Sequence, residues 1–299
     1  MIEFFIIIPT INAAAHLDRL LASLTTQVGK FSMQIHVQDA RSTDGTKNVV
    51  EHWKTWSTML GNKNQKIEIS FRSEMDAGLY DAIDRASKLM NSDDCIMTWI
   101  GADDIFMPGA LATVASVFSQ RPEIMWLTGS PHVANGAGEV FTPWSNVLYS
   151  RYHLYAGRHD GRKQADGNNY GFVQQEGTFW RRHLWNKSGG IDTRFKLAGD
   201  WDLWRRFAEY TTLYCFTFPL ACFSRRIGQK SSDMAGYYKE VDQIGYRDPP
   251  FKEVQAMVLK RYAWDQDWIV EPQFMPSASP EIARAIRRFF RRTFFKKAI

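Results

Sequence analysis

The chain has 299 residues, of which 44% are hydrophobic and 23% charged, and these proportions are typical of a globular protein rather than of a disordered or fibrous one. An apolar run at residues 4–8 stops at Pro9, far short of the roughly 20 residues that a membrane-spanning helix requires. The formal net charge of +5 is concentrated in residues 281–299, so the rest of the chain is close to neutral.

The ends of this apolar run and the cysteines indicate a cellular compartment. No basic segment precedes the run and no small-residue cleavage site follows it, so we expect no secretory signal. The cysteines are Cys95, Cys215 and Cys222, which lie in apolar segments and lack CxxC spacing. This pattern predicts reduced core residues in a cytoplasmic protein rather than zinc ligands.

Strand-like and helix-like patterns alternate through the first hundred residues. Strands are predicted at 3–8, 33–38, 67–71 and 95–100, and helices at 13–25, 47–56 and 78–90. The first strand is a continuous run of β-branched and aromatic residues, as expected where a parallel sheet is covered on both faces. The alternation therefore predicts an α/β fold with a doubly wound, mostly parallel sheet flanked by helices.

The second half of the chain has weaker patterns. A helix is predicted at 108–120 and a strand at 124–129, followed by a long polar excursion at 136–169. Ordered segments return at 174–181 and at 203–210, where the second is helical. Beyond Gly228 no clear periodicity is present before the tail.

Acidic residues follow several of the predicted elements. Asp39 follows the second strand, Asp103 and Asp104 follow the fourth, and Asp200 opens the late helix. Because open α/β sheets bind ligands at the carboxyl ends of their strands, these side chains are expected to converge. Paired carboxylates there can hold Mg²⁺ or Mn²⁺, which neutralises a diphosphate. Taken alone, the Asp103–Asp104 pair is more often a turn cap.

Five segments in order resemble the family 2 inverting glycosyltransferases of the GT-A fold, particularly bacterial exopolysaccharide and colanic-acid-type members. They are residues 6–12, 37–46, 73–82, 99–104 with 108–111, and 199–204. The resemblance spans roughly residues 4–230. It implies inverting transfer of a sugar from a UDP-, GDP- or dTDP-sugar to a hydroxyl of a glycan or lipid-linked acceptor, in bacterial cell-surface polysaccharide biosynthesis.

The resemblance also implies a division of the chain. Residues 1–230 would form the catalytic domain, with a nucleotide-sugar half at about 1–130 and an acceptor half at about 131–230. Residues 231–280 would be a C-terminal extension, followed by a basic tail at 281–299.

Donor contacts carried over from the family lie in the loops after the first three strands. They are Pro9, Thr10, Asn12, Asp39, Ser42 and Asp76. Asp39 would hydrogen-bond the base or ribose, and residues 42–46 would shape the loop beside it. Two alternatives remain open: the segment around Asp39 is only an Asx-type turn with a helix cap, and Asp76 only caps the following helix together with Asp81.

The metal motif of the family is usually Asp-x-Asp, and its first position here is Gly101. The resemblance then makes Asp103 the principal ligand of Mg²⁺ or Mn²⁺, with Asp104 as helper. Donor phosphates and water would complete the octahedron. We therefore expect poor metal affinity when no donor is bound.

Asp200 resembles the general base of the family, the Asp of a Glu-Asp pair, although Gly199 replaces the Glu. An inverting displacement needs one carboxylate to take the proton of the acceptor hydroxyl. The alternative is that Asp200 or Asp202 caps the following helix.

Gln175, Glu176 and Trp201 are expected on the acceptor side. Arg226 and Lys230 would close over the diphosphate, or are simply surface charges.

Two other functions agree less well with the sequence than glycosyl transfer does. A sugar nucleotidyltransferase would need a Gly-rich basic loop after the first strand, and Pro9-Thr10-Ile11-Asn12 is not such a loop. A nucleic-acid-binding protein would need basic residues across the whole chain. Because the chain outside its tail is nearly neutral, no nucleic-acid partner is expected.

The tail at 281–299 has the pattern of a basic amphipathic helix. Its apolar residues share one helical face, and arginines flank that face. Such a helix can dock on an anionic membrane surface, which would make the protein peripheral at the inner face of the plasma membrane. The alternative is a helix packed on the catalytic domain.

Overall fold

The structure is a computed structural model that describes residues 1–60, 66–90, 92–135, 139–141, 149–216, 218–226, 228–252, 255–264 and 267–276. The strands are β1 (Ile2–Thr10), β2 (Phe31–Asp39), β3 (Ile67–Ser73), β4 (Ile96–Trp99), β5 (Ile105–Phe106), β6 (Trp126–Thr128), β7 (Val133–Ala134), β8 (Val140–Phe141), β9 (Thr178–Arg181), β10 (Tyr214–Phe216), β11 (Ala221–Ser224), β12 (Gln255–Trp264) and β13 (Asp267–Pro276). The helices are α1 (Ala14–Thr25), α2 (Thr46–Leu60), α3 (Leu79–Ser87), α4 (Ala110–Gln120), α5 (Arg151–Ala156), α6 (Arg182–Lys187), α7 (Gly199–Phe207) and α8 (Met234–Ile244).

A nine-stranded sheet organises the described part of the chain, in the order β13-β12-β10-β6-β9-β4-β1-β2-β3. β1 pairs in parallel with β2 and β4, β2 with β3, and β10 with β6 and β12. β9 is antiparallel to both of its neighbours, and β12 and β13 form an antiparallel hairpin. A small second sheet has the order β5-β11-β7-β8. The predicted α/β fold with a mostly parallel sheet flanked by helices is confirmed.

The alternating side chains of β1 explain why its sequence is apolar throughout. Phe4, Ile6 and Ile8 pack into the cluster beneath α1, α2 and α4, while Phe5 and Ile7 pack into the cluster on the opposite face. Successive side chains of a strand point to opposite faces, so a strand covered on both sides needs apolar residues at every position.

The second cluster is built around tryptophans. Trp99, Trp126 and Trp180 lie around Trp204 of α7, with ring centroids 5.5–5.9 Å from the centroid of Trp204. Buried aromatic pairs of this kind stabilise a fold beyond their buried area, by about 0.5–1.5 kcal/mol each. The cluster therefore fixes α7, which carries Asp200, against the centre of the sheet.

The structure differs from the sequence prediction in the C-terminal part. The late helix begins at Gly199, one residue before Asp200 and four residues before the helical pattern that the sequence shows at 203–210. The segment after Gly228, which has no clear apolar period, contains α8 and the β12–β13 hairpin, and the hairpin joins the main sheet through β10. α8 buries only Val241 among its side chains, which explains the weak pattern. The predicted tail helix at 281–299 lies outside the described residues.

The topology brings the predicted site together at one edge. β1, β2, β3 and β4 are parallel, so the loops that follow them lie at the same edge of the sheet. β9 runs in the opposite direction, so the turn Gln175–Gly177 that precedes it lies at that edge as well. Among the described residues, no helix has both the length and the apolar character needed to cross a membrane.

Candidate active site

Asp39 stands at the end of β2 and is 1% exposed. Its Oδ2 accepts hydrogen bonds from the Ser42 amide at 3.0 Å and from the Ser73 hydroxyl at 2.6 Å. Its Oδ1 accepts from the hydroxyls of Ser42 and Thr10, the latter at 3.3 Å. The carboxylate thus joins the ends of three parallel strands, in the Asx-type turn that was the alternative to donor contact. A contact of Asp39 with base or ribose stays a prediction.

The loops after β1 and β2 are tied to each other through Asn12. The backbone amide of Asn12 donates to the Ser42 hydroxyl at 2.7 Å, and its side-chain oxygen accepts from the Thr43 amide at 3.0 Å. Asn12 has a φ of +47°, in the left-handed region that asparagine tolerates better than most residues. Pro9 is half-buried and Asn12 is exposed, so this corner of the edge opens to solvent.

Asp76 and Asp81 both bond backbone at the start of α3. Asp76 accepts from the Gly78 amide at 2.9 Å, and Asp81 accepts from the Ala77 amide at 2.8 Å. The capping alternative therefore describes their contacts, and a donor contact for Asp76 stays a prediction.

The predicted metal ligands follow β4 and face the strand β11 and the turn after it. Asp103 Oδ2 accepts from the Arg226 guanidinium at 2.5 Å and from the Gln229 amide at 3.0 Å. Asp104 is 3% exposed, and its Oδ1 accepts from the backbone amide of Ser224 at 2.7 Å. Each carboxylate thus has one oxygen bonded by this part of the chain: Asp104 by Ser224, and Asp103 by Gln229 and by Arg226, the residue predicted to close over the diphosphate.

Burial raises the pKa of two carboxyl groups at this edge. The pKa of Asp104 is raised well above its usual range by burial and by the nearby charges of Glu176 and Asp103. The pKa of Glu176 is raised to about 7 by burial, to which the charges of Asp200 and Asp103 add. Glu176 therefore lies within electrostatic range of both the predicted base and the predicted metal ligand.

The glycine in the metal motif has a packing consequence. A Cβ atom on Gly101 would lie 2.7 Å from Asp104 Oδ2 and 3.0 Å from Asp103 Oδ1. The space of the missing first aspartate is thus taken by the two carboxylates that follow. Within the described residues, no three His, Cys, Asp or Glu side chains are grouped so that they could hold a metal by themselves.

Asp200 is the second residue of α7, and Ala198 occupies the cap position. The alternative that Asp200 or Asp202 is the helix cap is therefore wrong, and Asp202 instead pairs with Arg206 at 2.8 Å. Asp200 Oδ1 accepts from the Trp201 amide at 2.8 Å and lies 3.2 Å from the Tyr80 hydroxyl. Burial raises the pKa of Asp200 to about 6, although these two hydrogen bonds act in the opposite direction.

The contact between Tyr80 and Asp200 depends on Gly199. A Cβ atom on Gly199 would lie 2.7 Å from the Tyr80 ring, so a glutamate there would displace the tyrosine. The departure from the Glu-Asp pair of the family is thus matched by a tyrosine from α3 that approaches the aspartate.

The remaining predicted site residues differ in exposure and in contacts. The Gln175 side chain donates to the backbone carbonyl of Trp99, which fixes the turn that carries Glu176. Lys230 is exposed in a 3₁₀ turn, and no ion pair of its side chain is found in the described part of the chain. Trp201 does not face the acceptor side as predicted. It is 3% exposed, and its indole nitrogen donates to the Gly157 carbonyl at 3.0 Å, because its place in α7 points it into the core.

Several residues of the site were not predicted from the sequence. Tyr80 and Ser73 stand in a segment that resembles the family, but only the fold brings them to Asp200 and Asp39. Gln229 and Glu240 lie in the region without periodicity, and nothing in their sequence context identifies them. Glu240 accepts three backbone hydrogen bonds immediately before α7.

Comparison with known proteins gives one family match that covers more than half of the chain. The sequence model described as Glycosyl transferase family 2 matches residues 5–189. The PGL/p-HBAD biosynthesis glycosyltransferase of Mycobacterium tuberculosis is 25% identical over 221 residues, which cover 72% of this chain and 70% of that protein.

Solved structures are similar in fold. S. aureus TarS 1-349 in complex with UDP-GlcNAc matches with a TM-score of 0.58 at 16% identity, over 81% of this chain and 65% of that chain. The mannosyltransferase PcManGT from Pyrobaculum calidifontis, in complex with GDP-Man and Mn²⁺, matches with a TM-score of 0.54 at 17% identity, over 83% and 66% of the two chains. This chain thus spans slightly less than two thirds of either solved chain. The likeness shows a shared GT-A fold.

Proposed function

The chain belongs to glycosyl transferase family 2, and from this premise we propose that it transfers a hexose from a nucleotide diphosphate sugar to an acceptor hydroxyl with inversion of configuration. The observation that carries the proposal is the placement of Asp200. Its carboxyl group lies near Glu176, whose turn is at the edge where the parallel strands end, and it is held through one oxygen, with a pKa raised to about 6. A general base works best when its pKa lies near the operating pH.

Asp200 supplies the proton acceptor in this proposal. In an inverting displacement the acceptor oxygen attacks the anomeric carbon as its proton leaves, and the nucleotide diphosphate departs from the opposite face. Oδ1 of Asp200 is engaged by Trp201 and Tyr80. In the described residues no side chain or backbone group bonds Oδ2, so this oxygen is the one that takes the proton.

Mg²⁺ or Mn²⁺ is the metal that the family implies, and the carboxylates of Asp103 and Asp104 fit it in chemistry. Both supply the hard oxygens that these ions prefer, and Asp103 Oδ1 accepts no hydrogen bond from the described residues. A bound metal would neutralise the leaving diphosphate. Since no group of three possible ligands is found among the described residues, donor oxygens and water would complete the set begun by Asp103 and Asp104.

Donor recognition is proposed at the same edge of the sheet, in the loops after β1, β2 and β3, beside the metal ligands that follow β4. Pro9, Thr10, Asn12 and the 42–46 loop would surround the nucleotide, with Asp39 and Asp76 beside it. The two similar solved structures hold UDP-GlcNAc and GDP-Man, which supports a UDP- or GDP-sugar donor. Arg226 and Lys230 would contact the diphosphate, because guanidinium and ammonium groups suit phosphate oxygens.

The acceptor is proposed to be a glycan or a lipid-linked precursor of a cell-surface glycan. The mycobacterial relative is named for a role in PGL/p-HBAD biosynthesis, which supports an acceptor of this class. Gln175 and Glu176 would face it. A cytoplasmic enzyme bound to the inner face of the plasma membrane through residues 281–299 would meet such an acceptor at the membrane surface.

The proposal is tested in two steps, first by nucleotide binding and then by the turnover of point variants. A thermal-shift screen of UDP, GDP, dTDP and CDP with Mn²⁺ identifies the nucleotide, because a bound ligand raises the unfolding temperature. Hydrolysis of UDP-GlcNAc and GDP-Man, with water in place of the acceptor, then reports turnover. Asp200→Asn should lower turnover by about 10²–10⁴-fold while donor affinity is retained.

Asp103→Ala should abolish both turnover and the Mn²⁺-dependent part of nucleotide binding. Full turnover in Asp103→Ala would contradict the donor site. Reduced donor affinity with intact turnover in Asp200→Asn would make Asp200 a donor ligand rather than the base.

A further inference from the structure

Glu240 lies on the largely exposed helix α8, and its carboxylate bonds the backbone of a different segment of the chain. Its Oε1 accepts a hydrogen bond from the Lys196 amide at 2.8 Å. Its Oε2 accepts from the amides of Leu197 and Ala198 at 2.9 and 2.8 Å. One carboxylate thus binds three successive backbone amides that are more than 40 positions away along the chain.

These amides lie directly before the helix that carries the proposed base. The amides at the start of a helix have no partner within the helix and are usually satisfied by a polar side chain at the cap. Here the cap residue is Ala198, which makes no side-chain cap hydrogen bond. Glu240 bonds the amide of this cap residue and those of the two residues before it, so it fixes the chain where it enters α7 rather than capping the amides of the first turn.

The held segment is two residues from Asp200, and it also receives Tyr80. The Tyr80 hydroxyl lies 3.0 Å from the Leu197 carbonyl, so residues 196–198 are fixed through their amides by α8 and through a carbonyl by α3. Asp200 follows on the first turn of α7, where its backbone direction is set by the angle at which the chain enters the helix.

We propose that Glu240 is a positioning residue for the transfer reaction: by binding the three amides before α7, it sets the orientation of the Asp200 carboxylate. This inference rests on the proposed function of Asp200 as the base. It makes α8, which lies outside the segment matched by the family, a part of the catalytic machinery.

The charge of Glu240 also acts on the pKa of Asp200, so the pH dependence of turnover gives a second test of this role. Tyr80 faces Asp200 from α3, Tyr237 and Glu240 from α8, and Glu176 from the turn before β9. The negative charge of Glu240 raises the pKa of Asp200. Removal of that charge should lower the pKa of Asp200, and the acid limb of turnover against pH should move to lower pH.

Three substitutions separate position from charge. Glu240→Asp keeps the charge but shortens the side chain, so the amide hydrogen bonds are lost. Glu240→Gln keeps the shape but removes the charge, and its single acceptor oxygen cannot replace two. Glu240→Ala removes both. Asp242→Asn is the matched control, since Asp242 is an acid of the same helix that pairs with Arg162 at 2.7 Å.

The experiment combines hydrogen exchange at residues 196–198 with the pH dependence of donor hydrolysis, using UDP-GlcNAc or GDP-Man with Mn²⁺. Glu240→Ala and Glu240→Asp should exchange these amides about tenfold faster or more, since hydrogen bonds to a charged group are lost. Both should lower kcat by about tenfold or more with donor KM nearly unchanged. Only Glu240→Gln and Glu240→Ala should shift the acid limb to lower pH, and Asp242→Asn should do neither.

The outcomes separate this inference from the proposed function. Unchanged exchange, kcat and pH profile in folded Glu240→Gln and Glu240→Asp would overturn the positioning role, even where Asp200→Asn is inactive. Faster exchange with kcat and pH profile unchanged would also overturn it, because Glu240 would then be structural only. A fully active Asp200→Asn would instead overturn the proposed function.

Discussion

The hydroxyl of Tyr80 lies 3.2 Å from Oδ1 of Asp200, across 120 positions of sequence. Tyr80 is 3% exposed, and burial together with the charge of Asp200 raises its pKa well above the usual tyrosine value. The hydroxyl therefore stays protonated, and its single proton is shared between the ionised Asp200 carboxylate and the Leu197 carbonyl, which lies 3.0 Å away. This hydrogen bond favours the charged form of Asp200 and lowers its pKa, against the larger effect of burial.

Tyr80→Phe should move the acid limb of turnover to higher pH. Without the hydroxyl, the ionised form of Asp200 loses a donor and its pKa rises further above about 6. A general base must be deprotonated, so kcat/KM at pH 6 to 7 should fall several-fold and recover at higher pH. The measurement is donor hydrolysis against pH. Tyr238→Phe, an α8 tyrosine stacked on Arg162, is the control and should leave the profile unchanged; an unaltered profile in Tyr80→Phe would refute the coupling.

Arg226→Ala should change metal and donor binding in opposite directions. The Arg226 guanidinium donates to Asp103 Oδ2, on the carboxylate that is proposed to hold the metal. Its removal takes a positive charge away from this carboxylate and leaves the Gln229 amide on Oδ2, so the affinity for Mn²⁺ alone should rise several-fold in a titration followed by electron paramagnetic resonance. Donor binding should weaken, seen as a higher donor KM, because a cationic partner of the diphosphate is lost. Arg225→Ala, an exposed neighbour, serves as control, and weaker Mn²⁺ binding in Arg226→Ala would contradict the competition.

Gly101→Ala and Gly101→Asp test the departure from the Asp-x-Asp motif. The added Cβ meets both following carboxylates, so each variant should lose about 1–3 kcal/mol of stability, and the aspartate should lose more through like-charge repulsion. Mn²⁺ should restore stability in Gly101→Asp, which gains a ligand, and not in Gly101→Ala. Chemical denaturation with and without Mn²⁺ measures the difference. Equal responses of the two variants to Mn²⁺ would argue that position 101 does not face the metal.

Deletion of residues 281–299 should abolish sedimentation with anionic liposomes and leave nucleotide binding unchanged. The segment holds seven basic residues against one acidic residue, and each cation near an anionic surface contributes about 1 kcal/mol. About 0.5 M salt should weaken the full-length interaction through screening. Neutral liposomes serve as the control. Equal sedimentation of the truncated and full-length proteins would favour the alternative of a helix packed on the catalytic domain.

The sequence by itself determined the sheet and most of the predicted site residues at the edge where its parallel strands end. The apolar run of β1 and the alternation of strands and helices predict a parallel sheet, because each face of such a sheet must be covered. Polar residues directly after strands then fall at one edge, as Asp39, Asp103 and Asp104 do. These features depend on neighbours along the chain, so a sequence pattern carries them.

Only the tertiary structure decided how those residues are partnered. Asp103 meets Arg226, Asp200 meets Tyr80, and Glu240 meets the start of α7 across more than 40 positions in every case. A single polar residue on a helix has no periodic signature, and Trp201 was misplaced because its direction depends on the packing of α7. The physical reason is that hydrogen bonds between distant segments are set by how the elements pack, which local pattern does not encode.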